Sequence, residues 1–149
     1  MRYILCVYVF VFCLSSCQQS DKKLKHQSDK KEQQSSEKVE KRVFFKNLVN
    51  GDTLTSPFQV AMGVSGMKVQ PAGVLSPGTG HHHIIINKGF IKYGEIIPMD
   101  ETHLHYGKGD TLTDLNLSSG EYTLTLQFAN GLHMSYGEQF SNTITIYVK

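Results

Sequence analysis

A period-two alternation of apolar and polar residues runs through the chain from residue 43 onward and limits what it can fold into. In the clearest example, Tyr122, Leu124, Leu126 and Phe128 alternate with Thr and Gln. This period places apolar side chains on one face of a β-strand, whereas a helix needs them three and four residues apart. Six segments are candidate strands: VFFKNLV, FQVAMGV, HHHIII, TLTDLNL, YTLTLQF and TITIYV. The sequence therefore predicts an all-β domain.

Turn-forming residues separate these segments. They are Asn50-Gly51-Asp52, Ser76-Pro77-Gly78, Ser118-Ser119-Gly120 and Asn130-Gly131. Several short strands at this spacing favour a β-sandwich, and Tyr122 stands where the tyrosine corner of Ig-like domains would place it. In that motif the phenol hydroxyl bonds the upstream backbone. We therefore predict an Ig-like antiparallel β-sandwich over residues 43–149, without the Cys-Trp-Cys core of antibody domains.

Residues 1–16 have the organisation of an export signal. Arg2 precedes the apolar run YILCVYVFVFCL, whose length of about a dozen residues is too short for a confident membrane span. The run ends in Leu-Ser-Ser-Cys at Cys17, which resembles the lipobox of bacterial lipoproteins. We expect cleavage before Cys17 and acylation of that residue. An ordinary signal peptide or a single anchor helix is the alternative.

Residues 17–42 would then comprise the lipidated cysteine and a polar tether. Residues 18–42 contain eight Lys or Arg and five Asp or Glu, and the strongly apolar residues among them are Leu24 and Val39. Such a composition cannot bury enough surface to offset its ordering entropy, so a disordered tether is expected. The expected location is the cell envelope, with the membrane as partner through the lipid on Cys17. Gln18, in place of an inner-membrane retention Asp, favours the outer membrane.

Charge and cysteine content exclude several functions for the domain. Residues 43–149 contain six Lys or Arg and eight Asp or Glu, without the basic surface that nucleic-acid binding needs. All three cysteines, at positions 6, 13 and 17, precede the domain, which excludes a disulfide, a thiolate ligand or a cysteine nucleophile within it. Neither G-x-S-x-G nor H-E-x-x-H nor a phosphate-binding loop occurs. We therefore expect no enzymatic activity.

Histidines are concentrated in the domain, which contains six of the seven. On strands, the two H-x-H pairs at 81–83 and 103–105 would each direct two imidazoles to one face. Two such pairs on neighbouring strands could surround one ion, and imidazole is a good ligand for copper and zinc. The expected metal ligands are His81, His83, His103 and His105, with His133 as an auxiliary ligand.

Other roles for these residues remain open. His82 is expected to face the apolar side of its strand with Ile84 and Ile86, and to pack in the core rather than bind metal. The remaining histidines could instead order loops around Gly80 and Gly107 in a non-catalytic envelope binding or assembly module with an unidentified protein partner. Three methionines could serve as core residues or as soft ligands for cuprous copper. They are Met67, Met99 and Met134.

Three stretches of the domain resemble one bacterial family. They are VSGMKVQPAGVLSPGTGHHHIIIN, IPMDETHLHYGKGDTLTDLNLSSGEYTLTLQF and SNTITIYV. With Gly-His-His-His at 80–83 and His-x-His-Tyr-Gly at 103–107, the chain is similar to the domain of unknown function 4399 family over about residues 43–148. The resemblance implies a small exported β-domain without an assigned activity. Members often carry H-x-x-H at the turn of His133, and Tyr136 takes the second position here.

Overall fold

The structure is a computed structural model, and it describes residues 40–149. The predicted signal, Cys17 and nearly all of the predicted tether lie outside the described residues. The described chain is all-β apart from one 3-10 turn at Glu138–Phe140. Its nine strands are β1 (Arg42–Phe45), β2 (Asp52–Leu54), β3 (Phe58–Ser65), β4 (Lys68–Val69), β5 (Thr79–Ile86), β6 (His103–His105), β7 (Leu112–Leu115), β8 (Gly120–Ala129) and β9 (Ser141–Val148).

These strands form two sheets in a sandwich-like arrangement, which confirms the predicted fold class. The smaller sheet has the order β1-β3-β7, and both of its pairings are antiparallel. The larger sheet has the order β2-β9-β8-β5-β4, and β6 also pairs with β5. Its pairings are antiparallel except for β2 with β9 and β4 with β5, which are parallel. Strand β5 therefore has neighbours along both of its edges.

One apolar core includes residues from both sheets. Val60 and Met62 of β3 and Leu126 and Ile146 of the larger sheet are fully buried in it. The alternation noted in the sequence explains this placement, because every second residue of each long strand points to the same side. Each of the six predicted segments contains a strand, although β1 covers only residues 43–45 of VFFKNLV and β7 only residues 112–115 of TLTDLNL. The three short strands β2, β4 and β6 have only two or three residues each, too few to show a period.

The opposite face of the larger sheet, called the outer face here, is also covered. Gln127 on this face is buried, and its side-chain oxygen accepts a hydrogen bond from the Ile91 amide at 3.0 Å while its nitrogen donates to the Gly137 carbonyl at 3.0 Å. Thr125 donates to the Lys88 carbonyl at 2.9 Å. The segments 87–102 and 130–137 are therefore fastened over the sheet. Strands β5 and β8 are buried on both faces as a result.

The predicted tyrosine corner is not observed. Tyr122 packs against the core, but its hydroxyl makes no hydrogen bond with the backbone upstream among the described residues. The hydroxyl of another tyrosine, Tyr136, donates a hydrogen bond to the Thr79 carbonyl at 2.7 Å. Between residues 40 and 149, no helix is long and apolar enough to cross a membrane.

Replacing a core leucine should test this arrangement. Leu126→Ala should lower the free energy of unfolding by about 2–5 kcal/mol, because it removes a fully buried side chain and leaves a cavity. Urea denaturation followed by circular dichroism would measure the change. The matched control is Leu112→Ala on β7, where the side chain is 52% exposed and the loss should be far smaller. Equal losses at the two positions would contradict the assignment of the core.

Candidate metal centre

The histidine run lies on β5 and divides between the two faces of the larger sheet. His81 and His83 are paired with Ala129 and Gln127 of β8 and lie on the outer face, while His82 lies on the core face. All three side chains are fully buried. The covering segments shield the outer face, so the imidazoles of His81 and His83 are removed from water although they lie outside the core cluster. The sequence prediction for the two faces of this strand is confirmed.

The register of β6 against β5 determines whether His103 or His105 lies beside His81 and His83. His105 lies opposite His83, whereas His103 lies opposite Ile85, one full pleat further from the histidine run. His103 is almost fully buried, and its Nδ1 lies 2.8 Å from the Asp100 carboxylate. The structure therefore does not bring His103 together with the other predicted ligands. In an antiparallel pair the two H-x-H sequences run in opposite directions, and this register matches them at one position only.

His133 reaches the same place from the segment 130–137. Its backbone has φ of 64°, a left-handed conformation that is uncommon for a residue other than glycine and costs about 1 kcal/mol or more. Hydrogen bonds on both sides hold it there. The His133 amide donates to the Asn130 carbonyl at 2.9 Å, the Met134 amide to the Asn130 side chain at 3.1 Å, and the Ile97 amide to the His133 carbonyl at 2.9 Å.

Four imidazoles therefore form one group, called the histidine cluster here: His81, His83, His105 and His133. All six distances between their ring centroids lie between 4.7 and 6.0 Å. The Nε2 atoms of His81 and His83 are 3.0 Å apart, and so are those of His105 and His133. In each pair one ring donates its N–H to the lone pair of the other. Three of the four predicted ligands and the auxiliary one meet at this point, and His103 does not.

Glycines make the close approach of these elements possible. A side chain at Gly107 would overlap the ring of His105, and one at Gly80 would overlap the carbonyl oxygen of Ala129. Gly107 follows β6 and Gly80 lies within β5 beside the first histidine of the run. Steric crowding thus explains why glycine stands at the start of the Gly-His-His-His motif and at the end of the His-x-His-Tyr-Gly motif.

The environment favours the neutral form of His81, His83 and His105. Burial, with the neighbouring charges of His105 and His133, lowers the pKa of His81 from 6.5 to about 4. Burial and the adjacent histidines lower the pKa of His83 further. The pKa of His105 is also lowered, by burial first and then by His133. Neutral imidazole has a free lone pair, which is the form that ligates metal ions.

The dimensions of the cluster suit a metal ion. Imidazole nitrogen binds zinc at about 2.0–2.1 Å, which places adjacent ligand atoms about 3.3 Å apart in a tetrahedral site and about 2.9 Å apart in a square one. The two observed Nε2 pairs, at 3.0 Å, lie between these values. The ligand atoms of His81, His105 and His133 all lie within 4.8 Å of one another, a set that does not include His83. The Nδ1 atoms of His81 and His83 are buried without a partner among the described residues.

The remaining candidate residues lie outside the cluster. His82 packs edge-on against Phe128 with ring centroids 5.0 Å apart, as expected for a core residue, and burial lowers its pKa to about 4. Neither of its ring nitrogens has a partner among the described residues. Tyr136 points to Thr79 and thus ties the segment of His133 to the start of β5. Met67 packs against the core, while Met99 is exposed.

Comparison with known proteins identifies the family. The family described as Domain of unknown function (DUF4399) matches residues 60–149. The chain belongs to this family. The matched region includes every residue of the histidine cluster. No curated protein and no solved structure matches the chain.

Acid should destabilise the metal-free protein. The pKa of His81 is about 4 in the folded state and 6.5 in the unfolded chain, so the unfolded chain binds more protons between these values. Stability should fall as the pH drops from 6.5 towards 4, by up to about 3 kcal/mol for this fully buried residue. Urea denaturation in the presence of a chelator would measure it. A His81→Gln variant should lose less, and an equal loss would assign the acid sensitivity to other groups.

Proposed function

We propose that this protein is an envelope lipoprotein whose β-domain binds a copper or zinc ion through His81, His83, His105 and His133. The observation that supports this most strongly is the convergence of four buried or partly buried imidazoles, with two Nε2 pairs 3.0 Å apart. Three of these residues come from two neighbouring strands and the fourth from a segment held in an uncommon backbone conformation. Such strain is found where a side chain must be placed for function.

The contrast with His103 favours ligation over a purely structural role. His103 lies away from the cluster, and its Nδ1 is engaged by the Asp100 carboxylate at 2.8 Å. The cluster imidazoles instead make side-chain hydrogen bonds only with one another among residues 40–149. Burial lowers the pKa of His81, His83 and His105, and buried imidazoles without an acidic partner are costly. A cation shared by all four would compensate that cost.

The ligand type restricts the ion. Imidazole nitrogen suits copper, zinc and nickel, and the order of stability of divalent ions places Cu²⁺ above Zn²⁺ for a given set of nitrogen ligands. No thiolate is available in the domain, because all three cysteines lie at positions 6, 13 and 17. Four protein ligands fill a tetrahedral site and leave no position for a substrate, as in structural metal sites. We therefore propose metal binding without catalysis.

A second function has support from the same bonds. The His105–His133 hydrogen bond joins β6 to the segment 130–137 without any ion, so the histidines could order these elements of an envelope binding or assembly module. In that case the pairs would be structural, and metal ions would leave the protein unchanged. Metal titration separates the two proposals.

The metal-binding prediction concerns the chelator-treated full chain without a histidine tag. Cu²⁺ and, more weakly, Zn²⁺ should bind with one ion per chain and raise the melting temperature at pH 7.5. At a free-ion concentration one hundred times Kd the stabilisation is about 2.7 kcal/mol. The gain should shrink at pH 5, because protons compete for ligands that must be neutral to bind. Calorimetry and elemental analysis would measure affinity and stoichiometry.

Single substitutions identify the ligands. His133→Ala and His81→Ala should weaken Cu²⁺ binding strongly, and electron paramagnetic resonance should show fewer coupled nitrogens. The matched control is His103→Ala, which removes a neighbouring buried histidine outside the cluster and should leave the affinity unchanged. Loss of binding in His103→Ala alone would contradict this set of ligands, and no binding by the unchanged protein at either pH would favour the structural role.

The membrane anchor is a separate part of the proposal. It rests on the apolar run that ends in Leu-Ser-Ser-Cys, and it locates the protein in the envelope, at the outer membrane by the residue after Cys17. Mass spectrometry of native protein should show a mature chain that begins at Cys17 and carries acyl groups. Cys17→Ala should abolish both the processing and the lipid. A mature chain that begins elsewhere would contradict the prediction.

A further inference from the structure

Exposed apolar side chains are concentrated on one part of the domain. Among residues 40–149, eleven large apolar side chains are exposed, and eight of them belong to the three segments 70–78, 87–102 and 130–137. The most exposed are Tyr93 at 75%, Ile96 at 68% and Met99 at 67%. Isolated exposed apolar residues need no explanation, but a large contiguous group marks an interaction surface.

Hydrogen bonds show that the three segments are neighbours. The Gly73 amide donates to the Gly131 carbonyl at 2.8 Å, which joins the first segment to the third. Ile96 is bridged to Met134, and the Gly94 amide donates to the Ser135 carbonyl at 2.9 Å, which joins the second to the third. The exposed apolar residues of these segments therefore form one area, called the apolar loop surface here.

We propose that the apolar loop surface docks onto the lipid bilayer in which the chain is anchored. This inference rests on the acylation of Cys17 in the proposed function and not on metal binding. From Cys17 to the first described residue, Glu40, the chain has 23 residues. The disordered tether expected from its composition would span on average about 25–30 Å at that length, close to the diameter of the domain. The bilayer is therefore the apolar environment held nearest to this surface.

The residue types on this surface suit a lipid interface. Segments 70–78 and 130–137 contain no Asp, Glu, Lys or Arg, and segment 87–102 contains Lys88 and Lys92 together with Glu95, Asp100 and Glu101. Phe90 and Tyr93 alternate with these lysines, and all four side chains are exposed. Aromatic rings favour the headgroup region of a bilayer, and lysines near them are attracted by anionic lipids. The apolar and aromatic side chains thus suit a bilayer interface, and the two lysines lie where they can contact its headgroups.

The test uses the acylated full chain reconstituted in vesicles of phosphatidylethanolamine and phosphatidylglycerol. Because the domain contains no cysteine, one introduced by Ile96→Cys can carry an environment-sensitive fluorophore. The matched control is Val49→Cys, which is 66% exposed and lies outside the apolar loop surface. Docking predicts a blue-shifted emission at position 96 that brominated lipid largely quenches. The label at position 49 should show neither effect.

A second pair of variants tests the surface itself. With the fluorophore moved to Leu75→Cys, Leu132→Asp should restore a water-exposed emission, whereas the control Val49→Asp should not. Equal quenching at positions 96 and 49 would overturn the proposal. So would a blue shift at position 96 that brominated lipid does not quench and that grows with protein density, because a second copy would then cover the surface. Mass spectrometry of the same sample shows whether Cys17 is acylated, so a failure of docking can be told apart from a failure of acylation. Metal titration tests the metal site independently of docking and acylation.

Discussion

The pairing of β5 with strands on both of its edges is the constraint on which the other features depend. Its register with β8 points Ile84 and Ile86 into the core and turns His81 and His83 to the outer face. A central strand with both faces buried is normally apolar throughout. Here three of its eight residues are histidines, two of them on the outer face, so that face needs polar partners. The segments that cover it provide backbone partners for Gln127 and Thr125 and bring His133 to the histidines.

Those segments solve the problem differently at neighbouring positions. Gln127 and Thr125 are satisfied by backbone carbonyls and amides of the covering segments, so their burial costs little. The histidines beside them have no such partners and make side-chain hydrogen bonds with one another only, among the residues described. This difference between adjacent polar residues separates a structural role from a candidate ligand role. The covering segments are therefore needed to bond the polar side chains of the outer face, and not to complete the apolar core.

How much could be predicted from sequence depends on the range of the interactions. Period two is a local property, so it located the six long strands and the faces of Ile84, His82 and Leu126 correctly. Register is set by distant partners, and a shift by one pleat decides whether His103 or His105 meets His83. The prediction of a tyrosine corner was wrong, because alternation places the Tyr122 ring against the core but does not determine what its hydroxyl bonds. The segments that cover the outer face are irregular loops, so no periodic pattern in the sequence predicts them.

His103 and His133 show how position decides the chemistry of one residue type. His103 sits on a regular strand of the predicted motif, yet Asp100 occupies its Nδ1 and the register separates it from the cluster. His133 belongs to no strand and completes the cluster only because Asn130, Ile97 and a left-handed backbone aim it inward. The segment that aims it also carries the exposed Leu132 and Met134 outward. Alternation along this short segment thus directs His133 into the histidine cluster and its two neighbours to the apolar loop surface. A bilayer bound to that surface would therefore lie next to the histidine cluster.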